Sequence, residues 1–292
     1  MSDLQCWIVY RNKDIERNRF FIDRLMHSAR AKGINPRLLV REKISIGVIE
    51  NRLKIFYEGK EFMELPVFSI NRCADSLLSK QMEQMGIQVF NNSKVCEICN
   101  DKALTHQYIS KTGVRQCATQ FMKKEQFEFD SLLFDYPFVA KPVVGSGGNG
   151  VMKIENPKDM IRFLRQLDSP DFIVQQIAGT IGKDLRVYIL GEEIVAAVLR
   201  SSDVDFRANY SLGGSFEKYE LNETERNIVQ KFVGEFEFGL VGIDFLFDCE
   251  GELVFNEIED SVGCRMLYKI GEVDLVNLYI FHIVNSLTKR IE

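Results

Sequence analysis

The sequence predicts a chain of mixed class, with a small parallel α/β domain first and α+β lobes built on antiparallel hairpins after it. Three observations predict this. Strand and helix signals alternate through the first 95 residues, apolar residues recur at alternate positions in two C-terminal hairpins, and a strand–glycine-loop–strand unit lies between.

The elements follow in order. Leu4–Tyr10 has the apolar content of a strand, and residues 17–32 carry Phe20, Phe21, Leu25, Met26 and Ala29 at helical spacing, with Gly33 as the stop. Residues 36–40 and 67–70 read as further strands, 76–85 as a helix closed by Gly86, and 87–90 as another strand. Strand–helix–strand repetition with short breaks predicts a parallel, doubly wound sheet. Asn91-Asn92-Ser93 reads as a turn and 100–110 as a helix. Residues 137–144 form a strand entering the glycine loop, 151–155 a strand leaving it, 157–167 a helix and 172–177 a strand. Hairpins follow at 185–200 and 241–259, separated by a helix over 222–238 and closed by one over 274–286.

Bulk properties exclude several classes. A net charge of −5 with interspersed signs gives neither a basic stripe for nucleic acid nor a polybasic anchor for membrane. The N-terminus reads as a strand, not a signal peptide, and no uncharged apolar run reaches the roughly 20 residues that span a bilayer. Seven scattered cysteines suit reduced thiols in a cytoplasm better than a disulfide framework. Cys96 and Cys99 form a lone pair of the Cys-x-x-Cys kind without a second, so buried thiols are expected there.

Gly145-Ser146-Gly147-Gly148-Asn149-Gly150 is the densest local signal. Glycines allow close approach of backbone N–H groups to a phosphate. The loop leads into another strand, so it is not a dinucleotide fingerprint, and it lacks the Gly-Lys-Ser/Thr ending of a P-loop. A flap over a triphosphate and a ligand-free surface hairpin both remain open. Lys141, on the strand entering the loop among Phe138, Val139 and Val143, either reaches those phosphates or is a solvated charge.

Asp244 lies in an otherwise apolar strand, while Glu257 and Glu259 stand two apart and so share one strand face. Pairing around Cys249-Glu250-Gly251 brings Asp244 alongside them. Three clustered carboxylates call for a cation, and hard oxygen ligands select Mg²⁺ or Mn²⁺; a solvated acidic face is the bland alternative. Arg186, Arg207 and Asn209, between loop and carboxylates, are donors suited to a phosphoryl group or a carboxylate.

In this order the parts resemble the ATP-grasp superfamily, in its branch similar to ribosomal S6 glutamate ligase (RimK-like). The matching stretches are Asn100-Asp101-Lys102-Ala103, Phe138-Val139-Ala140-Lys141-Pro142 with its glycine loop, and Phe172-Ile173-Val174-Gln175-Gln176-Ile177. Gly182-Lys183-Asp184-Leu185-Arg186-Val187, Asp205-Phe206-Arg207-Ala208-Asn209, Gly213-Gly214, and Val241-Gly242-Ile243-Asp244 with Asn256-Glu257-Ile258-Glu259 complete it, covering about residues 100 to 270. The resemblance implies a pre-grasp α/β domain over 1–95, a central grasp lobe with the glycine flap over 96–178, and a C-terminal lobe with the metal site over 179–292.

It further implies ATP and Mg²⁺ (or Mn²⁺) as cofactors and an ADP-forming carboxylate–amine ligase working through an acyl phosphate. The same ATP site also serves kinases and non-catalytic nucleotide-binding modules. Lys102, Lys141 and the flap residues Gly145, Ser146, Gly147 and Gly148 would meet phosphates, and Gln175, Gln176 and Ile177 the adenine edge. Lys183 and Arg186 would lie near phosphates or substrate, Arg207 and Asn209 at the transferring group, and Asp244, Glu257 and Glu259 on the metal. The family usually has Asn where Glu259 stands, which puts metal number or affinity in question. Arg72 and Arg265 are candidate contacts for a substrate carboxylate. Expected partners are small-molecule or peptide carboxylates and amines, with a homodimer or homotetramer implied by related ligases.

Overall fold

The computed structural model describes residues 4–145, 147–202 and 214–288. Four parallel strands, in the order Ile34–Val40, Leu4–Tyr10, Phe68–Arg72 and Gln88–Phe90, form the first sheet. Period-two alternation sends Cys6, Ile8 and Tyr10 to one face and Trp7 and Val9 to the other. The first face packs on helix Arg19–Ala31 and, across the molecule, on the C-terminal helix Leu275–Thr288. The second is covered by helix Ser76–Gln84, whose N-cap Asp75 accepts from Leu78 N–H. Helices on both faces give the doubly wound arrangement that the alternation predicts.

A second sheet places Met152–Ile154, Phe138–Pro142, Asp171–Gln176 and Thr119–Lys123 side by side, all antiparallel. Helix Pro157–Gln166 buries Met160 and Phe163 beneath it; Pro157 opens the helix and Asn156 caps it. A third, five-stranded sheet runs Ser215–Tyr219, Glu193–Ser201, Lys183–Leu190, Leu240–Phe247, Leu253–Glu259. Its core takes helix Glu223–Val233, which carries a capping box between Asn222 and Glu225, together with Val95, Cys99 and Ile109 from the helices Ser93–Cys99 and Lys102–Ser110.

Two elements differ from expectation. Asn92, read as part of a turn, caps helix Ser93–Cys99 by accepting from Val95 N–H. Strands Ile44–Ile49, Arg52–Tyr57 and Lys60–Glu61 form a small antiparallel sheet that the sequence reading left unassigned. The cysteines are free thiols, six buried and Cys249 exposed, and Cys96 and Cys99 lie in the core as expected. Among the described residues no helix is long and apolar enough to cross a membrane.

Candidate active site between the two antiparallel sheets

The third sheet builds the acidic wall by register alone. Asp184 pairs across with Arg200, Arg186 with Asp244, and Asp244 with Glu257, while Glu259 faces Gly242. Side chains two apart on a strand share a face, so Asp184 and Arg186 meet Arg200, Asp244 and Glu259 in one row. Arg186 donates from Nε to Asp244 Oδ1 at 2.7 Å and from Nη2 to Asp244 Oδ2 at 2.6 Å, and also reaches Glu259 at 2.8 Å. Arg200 Nη2 bonds Asp244 Oδ2 at 2.7 Å and Asp184 Oδ2 at 2.8 Å. The result is a buried ladder of alternating sign, Asp184–Arg200–Asp244–Arg186–Glu259. Burial by itself raises the Asp244 carboxyl, but the two guanidiniums override it and hold it below the usual carboxylate range. Burial prevails at Glu259, whose carboxyl is raised although Arg186 pulls it down.

Opposite this wall stand two buried lysines. Lys141 Nζ donates to Asn256 Oδ1 at 3.0 Å, and Lys102 Nζ donates to Gly145 O at 2.7 Å and lies 3.4 Å from Glu257. Lys102 is placed by its helix, which Asp101 caps and which docks on the flap strand through Lys102 N–H to Val143 O at 2.9 Å. The lysines and Glu257 line one cleft with Gly145, Gly148 and Lys183, walled on its apolar side by Val139, Ile177 and Leu246. Gly148 adopts φ +78°, a left-handed backbone that a glycine allows without strain.

The residues read from the sequence thus mostly converge. Gln175, Gln176 and Ile177 line the cleft, though the Gln175 side chain turns inward, donating to Thr119 Oγ1 at 2.9 Å and meeting His106 Nε2 at 3.2 Å. Arg186, expected at phosphates or substrate, is instead committed to Asp244 and Glu259, because the register puts it on the carboxylates' own face. Gly147 has φ +68° in the flap but does not appear among the cleft's lining residues. Arg265 is exposed at the first position of helix Arg265–Ile270, and Arg72 is buried beneath Val262. Ser146, Arg207, Asn209 and Gly213 lie outside the described residues. Arg200, Asp184 and Asn256 are site residues to which the sequence reading gave no role. Counting the hairpin register from its turn at Leu190 and Glu193 would pair Asp184 with Leu199. A bulge between Tyr188 and Ile189 moves the partner to Arg200, so the sequence carries no simple signal for it.

His106 supports the cleft from behind. Its Nδ1 meets Gln116 Oε1 at 2.7 Å while Nε2 faces the Gln175 amide, so the network assigns the proton to Nδ1 and leaves the ring neutral. Burial, aided by the charge of Lys141, pushes its pKa down to about 4. Unfolded, the ring takes up a proton near its ordinary value, so its contribution is fully present above pH ~6.5 and is lost as pH falls towards ~4. His106→Gln should flatten the fall of the urea midpoint across that window, by on the order of 3 kcal/mol at its acid end. An unchanged acid limb would contradict the neutral buried ring.

The donor set fits a hard divalent cation. Asp244, Glu257 and Glu259 each bring one oxygen within 4.8 Å of the others. Glu257 is the least committed ligand; Glu259 gives one oxygen to Arg186, and Asp244 has only Oδ1, which accepts a single hydrogen bond, to offer.

A family model described as the RimK-like ATP-grasp domain matches residues 99–283. Among known proteins, the chain is 27% identical over 278 residues to a probable alpha-L-glutamate ligase 2 of Hahella chejuensis, covering 90% of this chain and 91% of the relative. It is 27% identical over 293 residues to a probable alpha-L-glutamate ligase of Xanthomonas campestris, covering 96% and 98%. Its fold is that of a RimK domain ATP-grasp protein from Sphaerobacter thermophilus, with TM-score 0.72, 14% identity and coverage of 96% and 99%. D-alanine–D-alanine ligase from Bacillus anthracis, solved with ATP, matches with TM-score 0.73 and 13% identity over 98% of both chains. With the model spanning well over half of its length, from the lysine helix through the acidic strand pair, the chain belongs to the RimK-like ATP-grasp family.

Proposed function

We propose that the protein is an ADP-forming carboxylate–amine ligase that activates a carboxylate as an acyl phosphate and joins it to an amine. The reading is carried by one observation: two buried ammonium groups line a single apolar-walled cleft with Glu257, whose carboxylate clusters with those of Asp244 and Glu259. The relatives' names, alpha-L-glutamate ligase among them, point to an amino acid as one substrate and an amino acid, peptide or small molecule as the other.

In this reading Val139, Ile177 and Leu246 take the adenine, with backbone groups at 176–177 along its edge. Lys102 and Lys141 hold the phosphates under the flap of Gly145 to Gly148. Glu257 and Glu259, with Asp244 behind them, would hold Mg²⁺ (or Mn²⁺), which supplies charge neutralisation at the phosphates. A substrate carboxylate oxygen bonds the γ-phosphorus as the bond to ADP breaks. The amine nitrogen then bonds the acyl carbon, phosphate leaves, and the amine gives up its proton. Arg207 and Asn209 take the transferring group by resemblance. We divide the labour into residues 1–95 for the acceptor side, 96–178 for the flap and 179–292 for the metal. A cytoplasmic enzyme and a homodimer or homotetramer complete the proposal.

The test is ATP-dependent mass gain and ADP release across pairs of L-amino acids and short peptides. The expected result is release that needs both an acid and an amine and that stops in the double variant Asp244→Ala, Glu257→Ala. A phosphorylated product stable without amine would make the protein a kinase. Unchanged release in the double variant would remove the metal assignment.

A further inference from the structure

Residues 177–182 join strand Asp171–Gln176 of the second sheet to strand Lys183–Leu190 of the third. Ile177, Ala178, Thr180 and Ile181 of this linker line the cleft together with Leu246 of the third sheet. Connections of this kind are usually the mobile part of a site. This one is pinned. Thr180 N–H donates to Phe247 O at 3.0 Å, and Thr180 Oγ1 donates to Asp248 O at 3.3 Å. Beside it, Gly179 lies directly on the turn between strands Leu240–Phe247 and Leu253–Glu259. A Cβ on Gly179 would fall 2.6 Å from the carbonyl carbon of Asp248 and 2.8 Å from Cys249 Cα, and closer still to Cys249 N.

All three of those atoms are backbone, so no side chain can rotate away to make room. The turn cannot easily yield either. Asp248 Oδ1 accepts from Glu250 N–H and Glu252 N–H, both at 2.9 Å, and Asp248 N–H donates to Glu252 O at 3.0 Å. Arg115 Nη1 lies 2.8 Å from Asp248 Oδ2 and braces the turn from outside. Leu246 lies on the strand that enters this turn, two residues before Asp248. The turn that seats the linker is therefore continuous with an apolar wall of the cleft.

We propose that Gly179 is a positioning residue for the nucleotide. By seating backbone on backbone against Asp248-Cys249, it fixes how far the linker stands from Leu246, and so the width of the slot that takes the base. Gly179 is not itself among the cleft's lining residues, so its effect passes through its neighbours Ala178 and Thr180. A side chain at 179 has to lift the linker off the turn. A gap of about 0.5–1 Å already forfeits a quarter to a half of each dispersion contact, and a flat base depends on many of them. The phosphate end is carried elsewhere, by Lys102 on its helix and Lys141 on the second sheet, and stays in place. The inference rests on the reading that a nucleotide fills this cleft and deepens it.

The probes are ADP and inorganic tripolyphosphate, each with Mg²⁺, titrated calorimetrically into the whole chain. Gly179→Ala should weaken ADP by about 10- to 100-fold while tripolyphosphate, which has no base, stays within about twofold. Thr180→Val keeps the shape and drops one hydrogen bond, so it should weaken ADP by about 2- to 10-fold with the same selectivity. In turnover, KM for ATP should rise in both variants while kcat at saturating ATP stays within about threefold. Gly234→Ala, where a Cβ meets nothing within 4 Å, is the control and should change neither ligand. Unchanged ADP affinity in the folded variants overturns the inference. Equal loss of ADP and tripolyphosphate also overturns it, because that marks a general distortion. If Gly179→Ala does not fold, the selectivity of Thr180→Val decides the matter. No ADP binding by the unaltered protein would instead sink the nucleotide reading, and the role of Gly179 with it.

Discussion

Asp244→Asn is expected to cost about 3–5 kcal/mol of folding stability and to abolish turnover, whereas Glu257→Gln should abolish turnover alone. Asp244 is 1% exposed and is the shared anion of two buried guanidiniums. Among the described residues, neutralising it leaves Arg186 with only the Glu259 carboxylate and Arg200 with only that of Asp184, each in a place where water cannot screen the excess charge. Glu257 has a side chain 18% exposed and, among the described residues, one ion pair, to Lys102 at 3.4 Å. At 3.4 Å that pair is looser than the Asp244 bonds, and Lys102 keeps its hydrogen bond to Gly145 O when Glu257 is neutralised, so the cost to folding is smaller. Urea midpoints of the two variants, measured beside ADP release, separate the two roles. Equal midpoints would mean that the ladder contributes nothing to folding and that the Asp244 bonds form only incidentally.

The same contrast explains what could be read in the sequence and what could not. Glu257 and Glu259 were legible because a spacing of two fixes their common face, and Lys141 because apolar neighbours left its charge unexplained. Arg200 was not, since its partner is chosen by cross-strand register and by nothing in its own neighbourhood. The protein partners of Arg186 were not legible for a related reason: a guanidinium reads alike whether it faces a ligand or a protein carboxylate. The small sheet over 44–61 turns at Glu50-Asn51 and Glu58-Gly59, all with positive φ. The first of these lacks the glycine that usually announces such a turn. Its strands also leave Val48 and Ile49 exposed, so no clean inside–outside alternation marks them.

Lys141→Met is expected to leave the ligand-free protein as stable as before or more so, while ATP-dependent turnover falls by at least about 10²–10³. Burial pushes the Lys141 ammonium down to about 8; Glu257 pulls the other way and Lys102 adds to the fall. Its nearest polar contact is a neutral amide, Asn256. A lysine whose folded pKa lies below its unfolded value of ~10.4 costs stability when charged. That cost, on the order of 3 kcal/mol, is fully present below pH ~8 and is relieved as pH rises towards ~10.4, because there the unfolded chain binds the proton that the folded one has released. A methionine of similar length removes the cost and keeps the packing. Two ammonium groups that share one nearby carboxylate, Glu257, make sense if a polyanion completes the site. Nucleotide should therefore stabilise the unaltered protein more than the variant in a thermal-shift titration with ADP and Mg²⁺. A Met variant that unfolds more easily without ligand, yet binds ADP as before, would show that Lys141 is a structural cation and that the phosphates lie elsewhere.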